Sequence, residues 1–514
     1  MGTFRLCYSR DRNCRTVVDR HLTERRTVRE IMSQLPETTP LSSSPVWIER
    51  SLGFVADRRS WFIAFLAVFV FTISLVVNLR TVHSSAFHPD ESRWINRAHY
   101  LNDLNSPLGD VWSDRYLLRG QPPLGSYITA LGLILQGKDT ATNAPFDFHY
   151  GDQTYITWEA GRNAIPSQED LIAARQTNAV IGALTAALLV IILAKITNLA
   201  GGLVGGIIFA VNGLQEYLSS TALSDATLGL ILVLATLATM RLVVKPGWFW
   251  TIVLGVIFGA GMSAKLSPIA LAIGFAAIGL LFLLRRFLVR IPGVRRPVNY
   301  LAHGQEVRTD RLGWMFISLP FVAFAVFVLS YPYVWSKPIG RTQILFDFRT
   351  REMKSQARIW PNLKIKGRID ALGTLKHTFQ DIYPSSEKLF VWLSDNTPFP
   401  AGVPSIDIVL VIMGLVLAFV AVIRTGFATR LAAAFFLLGG QATAIIVGLR
   451  VDFNRYYLPI LLFGAFCIGY LIGEAFRVIG ERYLAKQSRK HASSRSTSAI
   501  TGLSIAPETL DSHP

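Results

Sequence analysis

The strongest constraint in this sequence is a succession of apolar blocks, each about 17–23 residues long and free of charge at its centre. At 1.5 Å of rise per residue, a helix of that length crosses the roughly 30 Å of hydrocarbon in a bilayer. The blocks fall at roughly 61–79, 176–198, 201–219, 226–244, 248–263, 266–284, 313–333, 406–423, 431–449 and 456–475. The expected fold is all-α and integral to the membrane: a polytopic bundle of about ten transmembrane helices whose core comes from helix packing in lipid.

Composition agrees. Of 514 residues, 51% are hydrophobic and 17% charged, an apolar excess and a charge deficit foreign to soluble domains. The formal net charge of +17 would suit a nucleic-acid binder. A basic membrane protein more simply carries its Lys and Arg in cytoplasmic loops, so membrane lipids are expected as partners and nucleic acid is not. Cys7 and Cys14 lie in the N-terminal tail and Cys467 inside an apolar run, with no metal spacing and no disulfide framework. The opening MGTFRL lacks the hydroxyl residue of a myristoylation signal, and the first apolar run is too long and too late for a cleaved signal peptide.

Residues 1–60 are polar and Arg-rich, with Pro36, Pro40 and Pro45 among Ser and Thr, and read as a basic cytoplasmic tail of little fixed structure. The membrane domain is expected over 61–475, and 476–514 as a second basic, disordered cytoplasmic tail. With the N-terminus inside, Arg58, Arg59, Arg241, Lys245, Arg424, Arg430 and the arginine-dense stretch from Arg285 through Arg290, Arg295 and Arg296 to Arg311 all face the cytoplasm. The same parity leaves two long segments outside, 80–175 and 334–405. In the first of them, Pro123–Gln136 is apolar but too short to cross, and reads as an interfacial helix begun by Pro122-Pro123. Ser92–Asn105 reads as a second surface helix, with Trp94, Ala98, Leu101 and Leu104 on one face.

Chemistry is sought in those outer segments. His88-Pro89-Asp90-Glu91 sets two adjacent carboxylates just beyond the first span. One of two such acids can take an acceptor's proton while the other orients the acceptor. The same pair also fits the acidic first turn of a helix. Asp225 opens the fourth span and Glu216 ends the third on the same side, where they suit a metal ion, an acceptor or a helix cap. Lys265, Arg455, Arg115 and Arg119 are cations at that depth, each able to hold a phosphate or to snorkel. Lys337, Arg341, Arg349, Arg351, Lys354, Arg358, Lys364, Lys366 and Arg368 make the second outer segment strongly basic, for anionic lipid, donor phosphate or water alike. His88, His99 and His149 lack the spacing of a helical zinc pair.

Taken in order, these residues resemble the GT-C superfamily of lipid-carrier-dependent glycosyltransferases, in its protein O-mannosyltransferase and aminoarabinose-transferase-like branch. The likeness rests on Asp90-Glu91 after span one and on Gly120-Gln121-Pro122-Pro123-Leu124-Gly125, similar to the family's His-Pro-Pro-Leu-Gly. It continues through Ala174-Arg175, Ser224-Asp225, Gly261-Met262-Ser263-Ala264-Lys265, Tyr331-Pro332-Tyr333 and Arg455-Tyr456-Tyr457-Leu458-Pro459. Gln121 stands where the mannosyltransferases have histidine, and 334–405 is too short for the β-trefoil module they insert, which argues against a eukaryotic-type protein mannosyltransferase.

The resemblance implies a GT-C-like bundle in a bacterial plasma membrane with its active site outside. It implies an inverting hexosyl or pentosyl transferase that takes sugar from a polyprenyl-phosphate donor to a protein, lipid or glycan acceptor. Asp90 would be the base and Glu91 would orient the acceptor. Asp225, with Glu216 beside it, would hold a divalent metal ion or the acceptor, and Lys265, Arg455 and Arg115 or Arg119 would hold the donor phosphate. The rival class is a transporter or flippase, against which stands the scarcity of charge at mid-span.

Overall fold

A computed structural model describes residues 58–140, 143–144, 163–288, 306–373, 396 and 406–501. The chain divides at Arg59, and everything below concerns the unit from Ser60 onward, with the helix that runs into it. The proposed N-terminal tail with Cys7 and Cys14, the arginines Arg290, Arg295 and Arg296, His149 and the end of the C-terminal tail lie outside the described residues.

The helices in chain order are α1 (Arg59–Val82), α2 (Pro89–Asn96), α3 (Tyr116–Gly120), α4 (Leu124–Leu135), α5 (Gln168–Ile196), α6 (Leu199–Ala210), α7 (Gly213–Ser219) and α8 (Asp225–Val244). There follow α9 (Trp248–Ala264), α10 (Ile269–Leu288), α11 (Glu306–Ser330), α12 (Pro338–Ile359), α13 (Ile406–Thr425), α14 (Arg430–Gly448) and α15 (Leu458–Thr501). Each expected apolar block is helical. Among the described residues seven helices are long and apolar enough to cross a bilayer, within α1, α5, α8, α11, α13, α14 and α15. The block expected at 201–219 is broken: α6 and α7 meet at 63°, where Asn212 leaves the helix and caps α7 through its side chain. The apolar part of α10, Ile269–Arg285, and the whole of α9 have 17 residues each, at the short end of what spans.

Lipid supplies no hydrophobic drive between helices, so backbones must approach closely to gain dispersion contact. Glycines at four-residue spacing do this where α6 meets α15. A Cβ on Gly201 would lie 2.6 Å from the Gly469 carbonyl oxygen, and one on Gly205 would lie 3.2 Å from the Gly469 Cα. α5, α8 and α15 form the buried centre, while α1 exposes Trp61, Phe65, Val68 and Phe69 outward, as a lipid-facing helix would.

Two expectations are corrected here. The surface helix expected from Ser92 starts at Pro89, because His88 and Glu91 close a capping box, and it tightens into 3-10 geometry over Arg97–Asn105. The tail expected to be unstructured from 476 is helical to Thr501. Arg477 there pairs with Glu474 and Glu481 at helical spacing, and no Gly or Pro falls between Gly480 and Gly502, so local propensity favours a helix where composition suggested disorder. The interfacial helix expected near Pro123–Gln136 is α4.

The segments after α1 and after α11 meet at the same end of the bundle. Tyr331 donates to the Leu118 carbonyl, Tyr333 to Asp114 at 2.8 Å, and Arg341 to the Trp112 carbonyl at 3.2 Å.

Candidate active site

The site grows from the start of α2. Pro89 occupies its first turn, where a missing N–H costs nothing. The His88 Nδ1 accepts the Asp90 N–H at 3.1 Å, and Glu91 Oε2 accepts the His88 N–H at 2.9 Å. Burial lowers the His88 pKa first, with Asp90 pulling the other way. A neutral ring is what an accepting Nδ1 requires.

Glu91 is wholly buried and binds the equally buried Arg175 of α5 through two parallel contacts of 2.8 Å. Arg175 also donates to the carbonyls of Val82, Ser85 and Ala86, so all five of its N–H groups are placed. The Ala222 N–H, from the turn between α7 and α8, completes the set on Glu91 Oε1 at 2.8 Å. One ion pair thus fastens the end of α1, the start of α2, α5 and the approach to α8. Glu91 therefore does not face an acceptor, as expected from sequence; both of its oxygens are engaged within the protein.

Asp90, one residue earlier, points the other way and pairs with Arg455 just before α15. Burial alone would raise the Asp90 carboxyl, but the guanidinium of Arg455, helped by His88 and Arg93, outweighs it and holds the group below the ordinary carboxylate range. Asp225, in the first turn of α8, pairs with Lys265 at the end of α9. Both acids sit in helix first turns and both meet a cation. Tyr456 lies among the cations: the Lys265 ammonium and the Arg455 guanidinium lie 5.5 and 5.4 Å from its ring centre, and Arg349 of α12 donates to its hydroxyl at 2.7 Å.

Tyr456 and the cations around it line a cavity of about 360 Å³. Asp225, Lys265, Arg349 and Arg455 form the charged part; Trp94, Gln121 and Ser224 form a neutral polar part. Ile269 and Ala270 of α10 with Ala444, Ile445 and Gly448 of α14 continue it as an apolar wall belonging to the membrane helices. Asp90 does not line the cavity and is reached through Arg455.

The other expected cations and acids are elsewhere. Arg119 is held by Asp114 at 2.6 Å and Arg115 donates to Ser113, and neither lines the cavity, because Asp114 is itself tied to Tyr333 and keeps that loop folded on itself. Glu216 accepts from Thr81 of α1. No three of His, Cys, Asp and Glu converge to hold a metal ion among the described residues, and Asp225 is claimed by a cation, so the metal expected at Asp225 and Glu216 does not fit this arrangement. Of the described basic residues in the segment expected to form the second outer one, Arg349 alone lines the cavity, and its signal was its place on an α12 face shared with Phe346, Thr350 and Met353. Tyr456 and Gln121 carried no sequence signal beyond their motifs.

Residues 164–302 match the family model described as dolichyl-phosphate-mannose-protein mannosyltransferase, over a stretch that carries Arg175, Asp225 and Lys265. The match meets the resemblance to GT-C glycosyltransferases drawn from the motifs. No curated protein sequence matches the chain significantly. Among solved structures, the chain is similar to the Saccharomyces cerevisiae protein O-mannosyltransferase Pmt1–Pmt2 complex bound to the sugar donor, with 18% identity, a TM-score of 0.37, and coverage of 54% of this chain and 34% of that one. The Archaeoglobus fulgidus oligosaccharyltransferase AglB in complex with an inhibitory peptide and a dolichol-phosphate gives 10%, 0.46, 85% and 52%. ArnT from Cupriavidus metallidurans in the apo state gives 16%, 0.42, 87% and 65%. The chain therefore spans less than two thirds of the length of each of these structures.

Proposed function

We propose that this chain is a glycosyltransferase that moves a sugar, with inversion, from a polyprenyl-phosphate donor to an acceptor hydroxyl on the outer face of the membrane. The observation that carries the reading is the cavity itself, whose lining combines cations with an apolar wall made by membrane helices. A phosphate with an isoprenoid tail matches that contrast in one molecule. The phosphate lies against Lys265, Arg455 and Arg349, where charge-assisted donors are strongest, and the tail follows α10 and α14 into lipid.

In the displacement, the acceptor oxygen bonds to the anomeric carbon as the bond from that carbon to the phosphate oxygen breaks. The electron pair leaves with the polyprenyl phosphate, and the acceptor's proton passes to Asp90. The ion pairs give this an order. Each cation that would bind phosphate is held by an acid, Arg455 by Asp90, Lys265 by Asp225 and Arg349 by Glu352. A donor phosphate competes with Asp90 for Arg455 and so uncovers the carboxylate, which makes donor binding a condition for a working base. Glu91 and Arg175 act by fixing the position of Asp90.

The test is purified protein in lipid nanodiscs with radiolabelled polyprenyl-phosphate sugars and a membrane extract as acceptor. Label moving to an acceptor with release of polyprenyl phosphate is expected. Label crossing a liposome bilayer on an intact donor, with no new product, would favour the flippase reading and sink this one. A cysteine at Ser106 reacting with an impermeant maleimide in intact cells is the expected sign that the site faces outward; protection would put it inside.

A further inference from the structure

The neutral part of the cavity is built with as much care as the charged part. Arg97 is only 2% exposed. No carboxylate pairs with it among the described residues; its guanidinium lies 5.2 Å from the ring centres of Trp94 and Tyr100, and its Nε has no partner. A buried guanidinium in that state is expensive, which raises the question of what its remaining N–H groups accomplish. Two of them grip Gln121, one at its main-chain carbonyl and another at its side-chain Oε1 at 3.4 Å.

That grip decides which way the amide points. With Oε1 turned to Arg97, the N–H2 of Gln121 has no partner among the described residues and belongs to a side chain that lines the cavity. Beside it, the Ser224 hydroxyl caps no helix, and the Trp94 indole forms an adjoining wall. Gly125 lets these walls close together, since a Cβ there would lie 2.6 Å from the Trp94 ring and 2.9 Å from the Ser224 Cβ.

An indole beside an amide N–H2 and a hydroxyl that are both uncommitted, all three uncharged, suits a ring that is apolar on its face and rich in hydroxyl oxygen at its edge. We infer that Trp94, Gln121 and Ser224 form the sugar subsite, that Arg97 is the positioning residue for Gln121, and that the sugar taken is neutral there rather than an ammonium-bearing amino sugar. Within this trio an ammonium would meet the N–H2 donors of Gln121 with a guanidinium behind them and one acceptor, the Ser224 oxygen; the carboxylate that also lines the cavity, Asp225, is paired with Lys265. The inference rests on the donor reading above and deepens it.

The test uses the full chain in nanodiscs and three probes: polyprenyl phosphate without sugar, polyprenyl-phosphate hexose, and a polyprenyl-phosphate 4-amino-4-deoxypentose. Gln121→Ala keeps the main-chain carbonyl that Arg97 holds. It is expected to weaken the hexose donor roughly three- to tenfold, the worth of a neutral hydrogen bond, with sugar-free lipid bound as before. Arg97→Lys is expected to give the same selective loss, and the double variant no further loss, since one residue acts through the other. In the wild type the amino-sugar donor should bind at least tenfold more weakly than the hexose donor.

Equal loss of sugar-free lipid in Gln121→Ala would move Gln121 to the phosphate, and an amino-sugar donor bound as well as the hexose donor would reverse the charge argument; either overturns the inference while leaving the donor reading intact. If the wild type binds no polyprenyl phosphate at all, the donor reading itself falls, and the subsite with it.

Discussion

Substitution of Glu91 or Arg175 should unfold the protein before it says anything about chemistry. Glu91 Oε1 accepts from Arg175 Nε and the Ala222 N–H, and Oε2 accepts from Arg175 Nη2 and the His88 N–H, all at 2.8–2.9 Å and all without solvent. Glu91→Gln preserves shape but turns one accepting oxygen into an N–H2 that faces two donors. It also leaves the guanidinium buried without its counter-charge. Breaking a buried pair by removing one partner costs about 3–5 kcal/mol, a large share of the 5–15 kcal/mol that typically holds a domain together. Arg175→Met should cost more, since it strands a buried carboxylate and also frees the carbonyls of Val82, Ser85 and Ala86. Equilibrium unfolding in mixed micelles should therefore rank wild type, Glu91→Gln and Arg175→Met in falling order of midpoint. A Glu91→Gln protein that unfolds at the wild-type midpoint yet loses turnover would refute this, and would return Glu91 to the acceptor.

Asp90→Asn, whose partner Arg455 is less deeply buried than Arg175, should cost less stability than Glu91→Gln and lose about 10²–10⁴ in turnover, read by product formation at saturating donor; wild-type turnover would assign the base elsewhere. Lys265→Ala and Arg455→Ala should weaken binding of sugar-free polyprenyl phosphate by about 1.5–3 kcal/mol each, and unchanged affinity in both would make them interfacial anchors only. His88 should make the protein acid-sensitive. Its folded pKa lies below the unfolded value of about 6.5, so the unfolded chain binds the proton more readily. The stability His88 contributes is present above that value and is lost as pH falls through it. His88→Asn, which keeps an accepting atom, should flatten the fall in melting temperature between about pH 7.5 and 5.5; parallel curves would clear His88 of the effect.

Much of this protein is local and so was legible in the chain. Each apolar block became a helix because a helix satisfies its backbone internally and the block's own composition decides its solvent, whatever its neighbours. The first-turn acids Asp90 and Asp225 were readable for the same reason: a helix start favours them without help from elsewhere. The break at Asn212 escaped the hydropathy reading, because an apolar run looks continuous whether or not one side chain within it caps a new helix.

What the sequence left open was which charges meet. Glu91 and Arg175 lie 84 residues apart, Asp90 and Arg455 365 apart, and Asp225 and Lys265 40 apart. Adjacent in the chain, Asp90 and Glu91 looked interchangeable, yet successive residues on a helix turn by about 100° and so face different partners. One was drawn into a dry contact that holds three helices, the other toward a cavity edge. Arg115 and Arg119 looked as able to bind phosphate as Lys265 until the fold gave Arg119 to Asp114 and Arg115 to Ser113. A side chain's charge is written in the sequence, but its partner and its access to water depend on which helix ends are packed together, and only the assembled bundle decides that.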